Sequence, residues 1–455
     1  MKRKYLKFNV LDDKNHRNWF NFRTDLLQSK NWFMKHIIIV GGGFAGINLA
    51  RSLGGNKNYT VTLVDKNNYN FFPPLIYQVA TAFLEPSSIS YPFRKLFRHK
   101  NNLHFRLGSV VKVVPEENKL VLTNGELIYD YLVFATGAET NYFGMQNVKQ
   151  YAMPMKTLHD AIAMRNRMLQ QMEKAIITKD AEERKKLLTF VIAGGGPTGV
   201  EISGMLAEMG RTIVLKDYPE LHGTRGEIYL VDGSESLLSP MSKQSQKGTY
   251  DALRRMGVRI RLNVHVKDYV NDTVILDDGD TIETKSLIWA AGVTAKMFEG
   301  IPAASYGRGK RMLTDEYNKV QGATNIYAIG DTSLQLHEPK WPNGHPQVAQ
   351  TAIQQGKHLA KNFKAMALNR AATPFKYHDK GSMAIIGRNK AVADLPKPVL
   401  HFKGIIAFFM WLFVHVMSLI NYRNRLKTLA NWSVAYFSKD QSLRMIIRPD
   451  NENNT

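Results

Sequence analysis

Glycine spacing is the first chemistry legible in this chain. Two runs of apolar, largely β-branched residues, Ile37-Ile38-Ile39-Val40 and Phe190-Val191-Ile192-Ala193, open into one pattern, Gly41-Gly42-Gly43-Phe44-Ala45-Gly46 and Gly194-Gly195-Gly196-Pro197-Thr198-Gly199. In G-x-G-x-x-G the first glycine permits a tight strand-to-helix turn, the second lets backbone approach a pyrophosphate, and the third lets helix pack on sheet. One such pattern also describes an ordinary glycine turn. Here each copy is followed by a strand ending in an acid, Asp65 after Tyr59 to Val64 and Asp232 after Ile228 to Val231. Two copies in that context predict a chain that holds two dinucleotides. A carboxylate at that strand end accepts hydrogen bonds from an adenosine ribose and repels a 2′-phosphate, so the second copy should take NADH before NADPH. Asp232 comes late after its glycines, and Asp217 to Gly226 reads as an inserted loop.

Cysteine is absent. Flavoproteins with two dinucleotide sites often pass electrons through a redox disulfide, a sulfenate or a persulfide, and all three are excluded. Cysteine-ligated zinc and iron-sulfur centres are excluded too, and no metal site is expected. Electrons must leave a bound cofactor directly for an external acceptor.

The elements that position these groups read as interrupted rather than tandem. At 455 residues and 44% apolar content, two or three domains are expected. Tyr131 to Phe134 is a strand leading to the small-residue turn Ala135-Thr136-Gly137-Ala138, and Ser286 to Val293, with Ala291 and Gly292, is a near copy. Thr157 to Leu188 has helical periodicity and reads as a connector helix. A last strand, Asn325 to Ile329, ends in Gly330-Asp331 and returns to the first unit. The expected fold class is α/β, with two Rossmann-like dinucleotide-binding domains, the NADH domain inserted in the first, and a C-terminal helical membrane anchor. The boundaries are 1–33 (N-terminal arm), 34–156 and 294–398 (first domain), 157–293 (NADH domain) and 399–455 (anchor). Beyond Asp331, which reads either as a ligand to the first cofactor or as a plain turn residue, a helix should begin at Pro346 with Gln347, Gln350 and Gln354 on its early turns. Its N-terminus would stabilise negative charge developing on a reduced cofactor. Gln350 and Gln354 share a face that is either solvated or donates to a ligand, and Ala349, Ala352 and Gly356 permit close approach.

Formal charge is +22, which favours an anionic partner. No arginine-rich arm or nucleic-acid motif accompanies it, so nucleic acid is not expected. Gly404 to Ile420 reads GIIAFFMWLFVHVMSLI, flanked by Lys403 and by Arg423, Arg425 and Lys427. This is short for a span, which needs about 20 residues. A second helix follows with Leu426, Leu429, Ser433 and Phe437 at helical spacing beside Trp432. The pair reads as an interfacial anchor on an anionic lipid surface, separable from the nucleotide units; a buried hairpin or a dimer interface is the alternative. Residues 1–33 carry eight Lys or Arg and no apolar run of signal-peptide length.

Four stretches then resemble the type II NADH dehydrogenases, single-subunit NADH:quinone oxidoreductases, over about Met34 to Arg448. They are Phe72-Pro73-Pro74-Leu75-Ile76-Tyr77-Gln78-Val79-Ala80-Thr81; Ala349 to Gly356, which fits AQxAxQxG at every fixed position; Tyr377 to Gly387, which fits YxxKGxMAxxG; and the tail with Trp411, His415, Arg423-Asn424-Arg425 and Trp432. The arm, the Asp217 to Gly226 loop, and Asp232 where many members carry glutamate fall outside the resemblance. The resemblance implies FAD in the first unit, bound by Gly41, Gly43, Phe44, Ala45, Gly46, Asp65, Lys66, Val111, Ala135, Thr136, Gly137, Gly330, Asp331, Ala349 and Gln350. It implies NADH in the second, bound by Gly194, Gly196, Pro197, Thr198, Gly199, Glu201, Asp232, Ala291 and Gly292. Gln350 and Gln354 would line a quinone site, and Lys380 would stabilise reduced oxygens or relay a proton. Glu201 is either a helix-dipole residue or the family's proton relay. The implied reaction is hydride transfer from NADH to FAD and two-electron transfer to a membrane quinone, ubiquinone or menaquinone, without ion pumping. The enzyme would be peripheral, on the cytoplasmic face of the plasma membrane if bacterial, and a homodimer is one arrangement left open. The rival readings are a reductase for a small iron-sulfur protein and a non-catalytic, membrane-attached NADH sensor.

Overall fold

The computed structural model describes residues 34–224, 226–438 and 443–447; the arm at 1–33 lies outside them. Two five-stranded parallel sheets organise the chain. In the first, β1 (Lys35–Val40), β2 (Tyr59–Asp65), β3 (Leu103–Leu107) and β4 (Tyr131–Phe134) are joined by the late strand described below as β10. In the second, β5 (Met153–Pro154), β6 (Phe190–Ala193), β7 (Ile228–Asp232), β8 (Val258–Leu262) and β9 (Ser286–Trp289) run in the order β5-β9-β6-β7-β8. Strand β10 (Ile326–Ala328) lies beside β4, giving the order β10-β4-β1-β2-β3. The strands are continuous apolar runs because both faces are covered: Ile37, Ile38 and Ile39 are fully buried, as are Val191 and Ile192. A three-stranded antiparallel meander follows in each unit, residues 110–128 between β3 and β4 and residues 266–283 between β8 and β9.

Helix α1 (Phe44–Leu53) follows β1 and a short helix α2 (Ile76–Ala80) follows the Pro73-Pro74 turn. The connector is not one helix. It breaks into α3 (Leu158–Ile177) and α4 (Ala181–Leu188), because Asp180 is a strong N-cap whose side chain accepts from the Glu183 amide at 2.9 Å. Helix α5 (Pro197–Thr212) carries the second glycine turn into the interior. The expected loop at 217–226 is also not free. It contains a helical turn at Pro219–Leu221, and Tyr218 and Leu221 are buried in the core.

Helix α6 (Ala349–Met366) begins three residues later than expected, with Val348 as N-cap, so Pro346 and Gln347 precede it. It lies on α1 so closely that a Cβ on Gly356 would come 2.4 Å from the Ala45 carbonyl oxygen. A third, antiparallel sheet follows: β11 (Ser382–Gly387), β12 (Lys390–Pro396) and β13 (Val399–Lys403). Helix α5 meets β11 at Gly204, where a Cβ would fall 1.7 Å from the Ile386 oxygen. Two helices follow, α7 (Ile405–Ser418) and α8 (Tyr422–Ser438). Their inner faces place Phe408, Trp411 and Trp432 in the same core cluster as Val200 and Met205 of α5 and Tyr77 of α2. The tail is therefore not separable, in contrast to the expectation from its sequence.

Candidate active site

The first cradle is built by backbones that touch. Gly41 has φ +102°, and a Cβ there would lie 2.4 Å from the Ala135 oxygen and 2.9 Å from Thr136 Cα; a Cβ on Gly46 would lie 1.9 Å from the Gly41 oxygen. Gly43 faces open space and caps α1 with no side chain, leaving the helix's first amides free for an anion. Gly330, at φ +76° after β10, closes the cradle, its Cβ position 3.1 Å from Ala45 Cβ and 3.4 Å from Ala352 Cβ. Asp65 Oδ2 accepts from the Gly42 amide at 2.6 Å and Oδ1 from the Asn67 amide at 2.8 Å. Burial raises its pKa and these N–H groups work against the rise. Two hydroxyls beside the cradle, Thr136 Oγ1 and Thr332 Oγ1, are buried without a partner. Orphaned hydroxyls next to an uncapped helix N-terminus suit a ligand rich in phosphate and hydroxyl oxygens.

The second cradle repeats the first. Gly194 has φ +113°, and its Cβ position lies 2.5 Å from the Ala290 oxygen and 2.8 Å from Ala291 Cα. A Cβ on Gly199 would sit 1.8 Å from the Gly194 oxygen, Gly196 faces open space, and α5 starts with Pro197 at its first position and no side-chain cap. Asp232 Oδ2 accepts from the Gly195 amide at 2.5 Å and Oδ1 from the Ser234 amide at 2.7 Å, so the carboxylate has one fixed orientation. Thr198 lies on the first turn, and Gly292 leaves room for the Phe143 ring, 2.7 Å from its Cβ position.

The AQxAxQxG stretch splits into two jobs. Ala352 and Gly356 serve the approach of α6 to α1 and to Gly330, rather than the approach of a ligand. Gln355 Oε1 accepts from the Gly330 amide at 2.6 Å and Gln347 Nε2 donates to the Asp331 oxygen at 3.1 Å, so α6 and the residues before it hold the turn after β10. Gln350 and Gln354 face the other way. Gln350 accepts from the Lys380 amide at 2.9 Å and donates to the Gly381 oxygen at 3.1 Å. Gln354 accepts from the His378 amide at 3.0 Å and donates to the His378 oxygen at 2.8 Å. The two glutamines clamp the loop that carries the exposed Lys380. Burial raises the pKa of Asp331, and the positive charges of Lys156 and Arg311 work against the rise. Ala349 opens α6 at this point.

Glu201 is 7% exposed on the second turn of α5. Burial holds its pKa well above the carboxylate range, and the Ile385 amide and Trp411 indole beside it offset this only in part. Burial raises the pKa of Tyr77 in turn, and Glu201 adds to the rise. Tyr77 Oη accepts from Gln78 Nε2 at 2.9 Å, and Gln78 Oε1 accepts from Trp432 Nε1 at 2.7 Å. Trp411 stacks on His415 at 3.8 Å between ring centres, and burial pulls the His415 pKa down to about 4. An acid of α5, a tyrosine of α2 and aromatics of α7 and α8 thus share one buried polar cluster. Tyr77 and Gln78 lay in a recognised stretch without a role, and their coupling to Trp432 had no local signal. The interior glycine Gly204 was the available clue, since glycine inside a helix marks close backbone approach. Of the other expected cofactor residues, Lys66 is exposed directly after Asp65, and Val111, 48% exposed, is the bulged residue of its strand.

Comparison with known proteins agrees with this arrangement. Residues 35–356 match the family described as pyridine nucleotide-disulphide oxidoreductase, and residues 379–447 match the NDH2 C-terminal domain. The chain is 32% identical over 424 residues to the type II NADH:quinone oxidoreductase Ndh of Mycobacterium tuberculosis, covering 88% of each chain. It is 28% identical to the type II NADH:quinone oxidoreductase of Haemophilus influenzae, covering 80% of this chain and 87% of that one. NDH2 of Plasmodium falciparum, solved in complex with NADH, superposes with a TM-score of 0.82 at 23% identity, over 91% of this chain and 100% of that one.

Proposed function

The chain belongs to the type II NADH:quinone oxidoreductases, and from that membership we propose that its first cradle holds FAD, its second binds NADH, and its C-terminal helices dock on a membrane that supplies the quinone. It is an enzyme, a respiratory NADH dehydrogenase. Residues 34–156 and 294–398 form the FAD-binding domain in this reading, with 157–293 inserted as the NADH domain and 399–455 as the docking region. The observation that carries the cofactor assignment is the convergence of Gly41, Ala45, Thr136, Gly330 and Ala352 around an uncapped helix end, with the Thr136 hydroxyl left unpaired.

FAD, when bound, accepts a hydride from NADH and passes two electrons on to quinone. The chain supplies binding, orientation and proton handling. Asp65 and Asp232, each fixed by two backbone amides, accept from the two ribose hydroxyls. The α1 and α5 N-termini face the two pyrophosphates. Gln350 and Gln354 hold the 378–381 loop so that Lys380 stands at a fixed place for a reduced oxygen. Burial disfavours the Glu201 carboxylate and favours its protonated form, which suits it to donate toward a quinone oxygen from inside the Tyr77-Gln78-Trp432 cluster.

Docking is supported by the outer face of the hairpin. Phe409, Phe413 and Phe437 are 55%, 67% and 81% exposed there, an exposed apolar surface of the kind that marks an interaction site. No helix among the described residues is long and apolar enough to cross a membrane. Two of the four cations flanking the apolar run have partners within the chain: Arg425 donates to the Leu419 and Met417 oxygens that end α7, and Lys427 pairs with Glu85 at 3.5 Å. Lys403 and Arg423 remain exposed for anionic headgroups.

Stopped-flow absorbance tests the reading. NADH should bleach the flavin band rapidly and a soluble quinone should restore it. Steady-state efficiency should favour NADH over NADPH by about tenfold or more, because Asp232 repels a 2′-phosphate. Bleaching without reoxidation by quinone would overturn the acceptor assignment, and equal efficiencies would overturn that of Asp232.

A further inference from the structure

A cleft of about 800 Å³ lies outside both cradles, between α5, the β11–β12 turn and the C-terminal helices. Its inner wall is apolar, formed by Phe408, Leu412 and Val416 of α7 and Trp432 of α8. Its rim is formed by Phe409, Phe413 and Phe437, so it opens onto the exposed face of the hairpin. The volume falls in the range of small-molecule sites. One end is charged differently from the rest. Arg211, Arg388 and Lys390 gather there around the carboxylate of Glu208, whose Oε1 accepts from the Arg388 amide at 2.5 Å. The Arg388 guanidinium lies 4.4 Å from the centre of the Tyr436 ring. With three cations against one half-buried acid, one end of an apolar cleft carries excess positive charge.

We propose that this cleft is a binding site for one anionic phospholipid, an acyl chain lying between α7 and α8 and the phosphate meeting Arg388 and Lys390. The inference rests on the docking reading above, since the lipid enters from the leaflet that the rim faces. The charge decides the occupant. An isoprenoid quinone tail is neutral and makes no use of three cations, and the lining includes none of Gln350, Gln354 and Lys380. A second copy of the chain would have to bring an acidic group to the same point.

Native mass spectrometry of the full chain tests the proposal, the detergent-solubilised enzyme being mixed with palmitoyl-oleoyl phosphatidylglycerol or with the phosphatidylcholine of the same chains. The expected result is one phosphatidylglycerol per chain, with phosphatidylcholine retained at least about tenfold less. The double variant R388Q/K390Q should lose phosphatidylglycerol by a similar factor. Ala435→Phe, and separately Ser433→Trp, should fill the cleft and abolish retention of either lipid. Reduction of ferricyanide by NADH within about twofold of the parent shows that each variant is folded. Equal retention of the two lipids, or full retention by both filled variants, overturns the proposal. So does a lipid-free dimer, which assigns the cleft to a second copy, or adducts of added ubiquinone in place of phosphatidylglycerol. Sedimentation with phosphatidylglycerol vesicles separates the two layers of inference: a parent that sediments but retains no lipid sinks the site alone, whereas a parent that does not sediment sinks the docking reading with it.

Discussion

Gln354 commits both ends of its amide to one residue, accepting from the His378 amide and donating to the His378 oxygen, and Gln350 does the same across Lys380 and Gly381. Each such bond is worth about 1 kcal/mol net. Gln354→Leu should therefore loosen the loop that places Lys380 without touching either nucleotide cradle. In stopped flow, flavin bleaching by NADH should stay within about tenfold of the parent. Reoxidation by quinone should slow by more than that, about 1.4 kcal/mol or more in barrier. Unchanged reoxidation would leave the clamp a purely structural device. Glu201 makes a prediction of opposite kind, about pH. Its folded-state pKa is raised by burial, whereas the unfolded chain releases this proton near about pH 4.3. Between those two points the unfolded state binds fewer protons, so this group's contribution to stability is full at low pH and is lost as pH rises. Glu201→Gln keeps the shape and the neutral form. Parent and variant should melt together near about pH 4, and the variant should melt progressively higher toward about pH 8; a gap independent of pH would show that the carboxyl is not held protonated.

At the scale of elements, what was legible was what is local. Glycine, strand and acid lie within one contiguous unit, so both cradles and the return of β10 could be read from spacing. One failure, the break in the connector, is itself local, a capping signal passed over; the others have nonlocal causes. The connector breaks because Asp180 caps a new helix, and α6 starts late because Gln347 is engaged with the Asp331 oxygen in the turn before it. The glutamine pair points to a loop about 25 to 30 residues onward, and Glu201 is buried by β11 and α7, roughly 180 to 210 residues onward. No periodicity within α5 announces that burial. The tail shows the same limit: its sequence reads as an appendage, but Trp411 is fully buried, Trp432 reaches Gln78, and Asn424 donates to the Ser90 oxygen at 2.9 Å. Deleting the chain from Gly404 should consequently unfold more than it releases. His415 offers a gentler probe of α7. Its folded-state pKa of about 4 lies below the value of about 6.5 for the free side chain. Its contribution is therefore present above about pH 6.5 and is lost as pH falls toward 4, by up to about 3 kcal/mol. Acidification over that window should change the emission of the Trp411–Trp432 pair before global unfolding, and His415→Phe should shift the change to lower pH. An unaltered profile in that variant would place the acid sensitivity elsewhere.

At the scale of the molecule, the proposed docking would draw on a charge of +22 and on the exposed apolar face of the hairpin, and these differ in how they respond to salt. Surface charge acts over a Debye length of about 10 Å at 0.1 M ionic strength and about 3 Å at 1 M. Attraction to an anionic leaflet therefore weakens steeply over that range. Apolar burial does not, and each large side chain moved out of water contributes roughly 1.5 to 3 kcal/mol. The hairpin presents Phe409, Phe413 and Phe437 outward; Arg425 and Lys427 are partnered inside the chain, which leaves Lys403 and Arg423, with Arg388 and Lys390 of the cleft, as cations beside it. The apolar term should therefore dominate once the chain is docked, and the charge should act mainly on approach. The intact chain should sediment with phosphatidylglycerol vesicles at low salt and remain largely bound at about 0.5 M. Phe409→Asp combined with Phe413→Asp should release it at every salt concentration above about 0.1 M. Those side chains lie outside the cluster formed by Trp411, Trp432 and Tyr77, so reduction of ferricyanide by NADH should persist in the released protein. Complete release of the parent by 0.5 M salt would invert the ranking, making attachment electrostatic and the phenylalanine face a surface for some other contact.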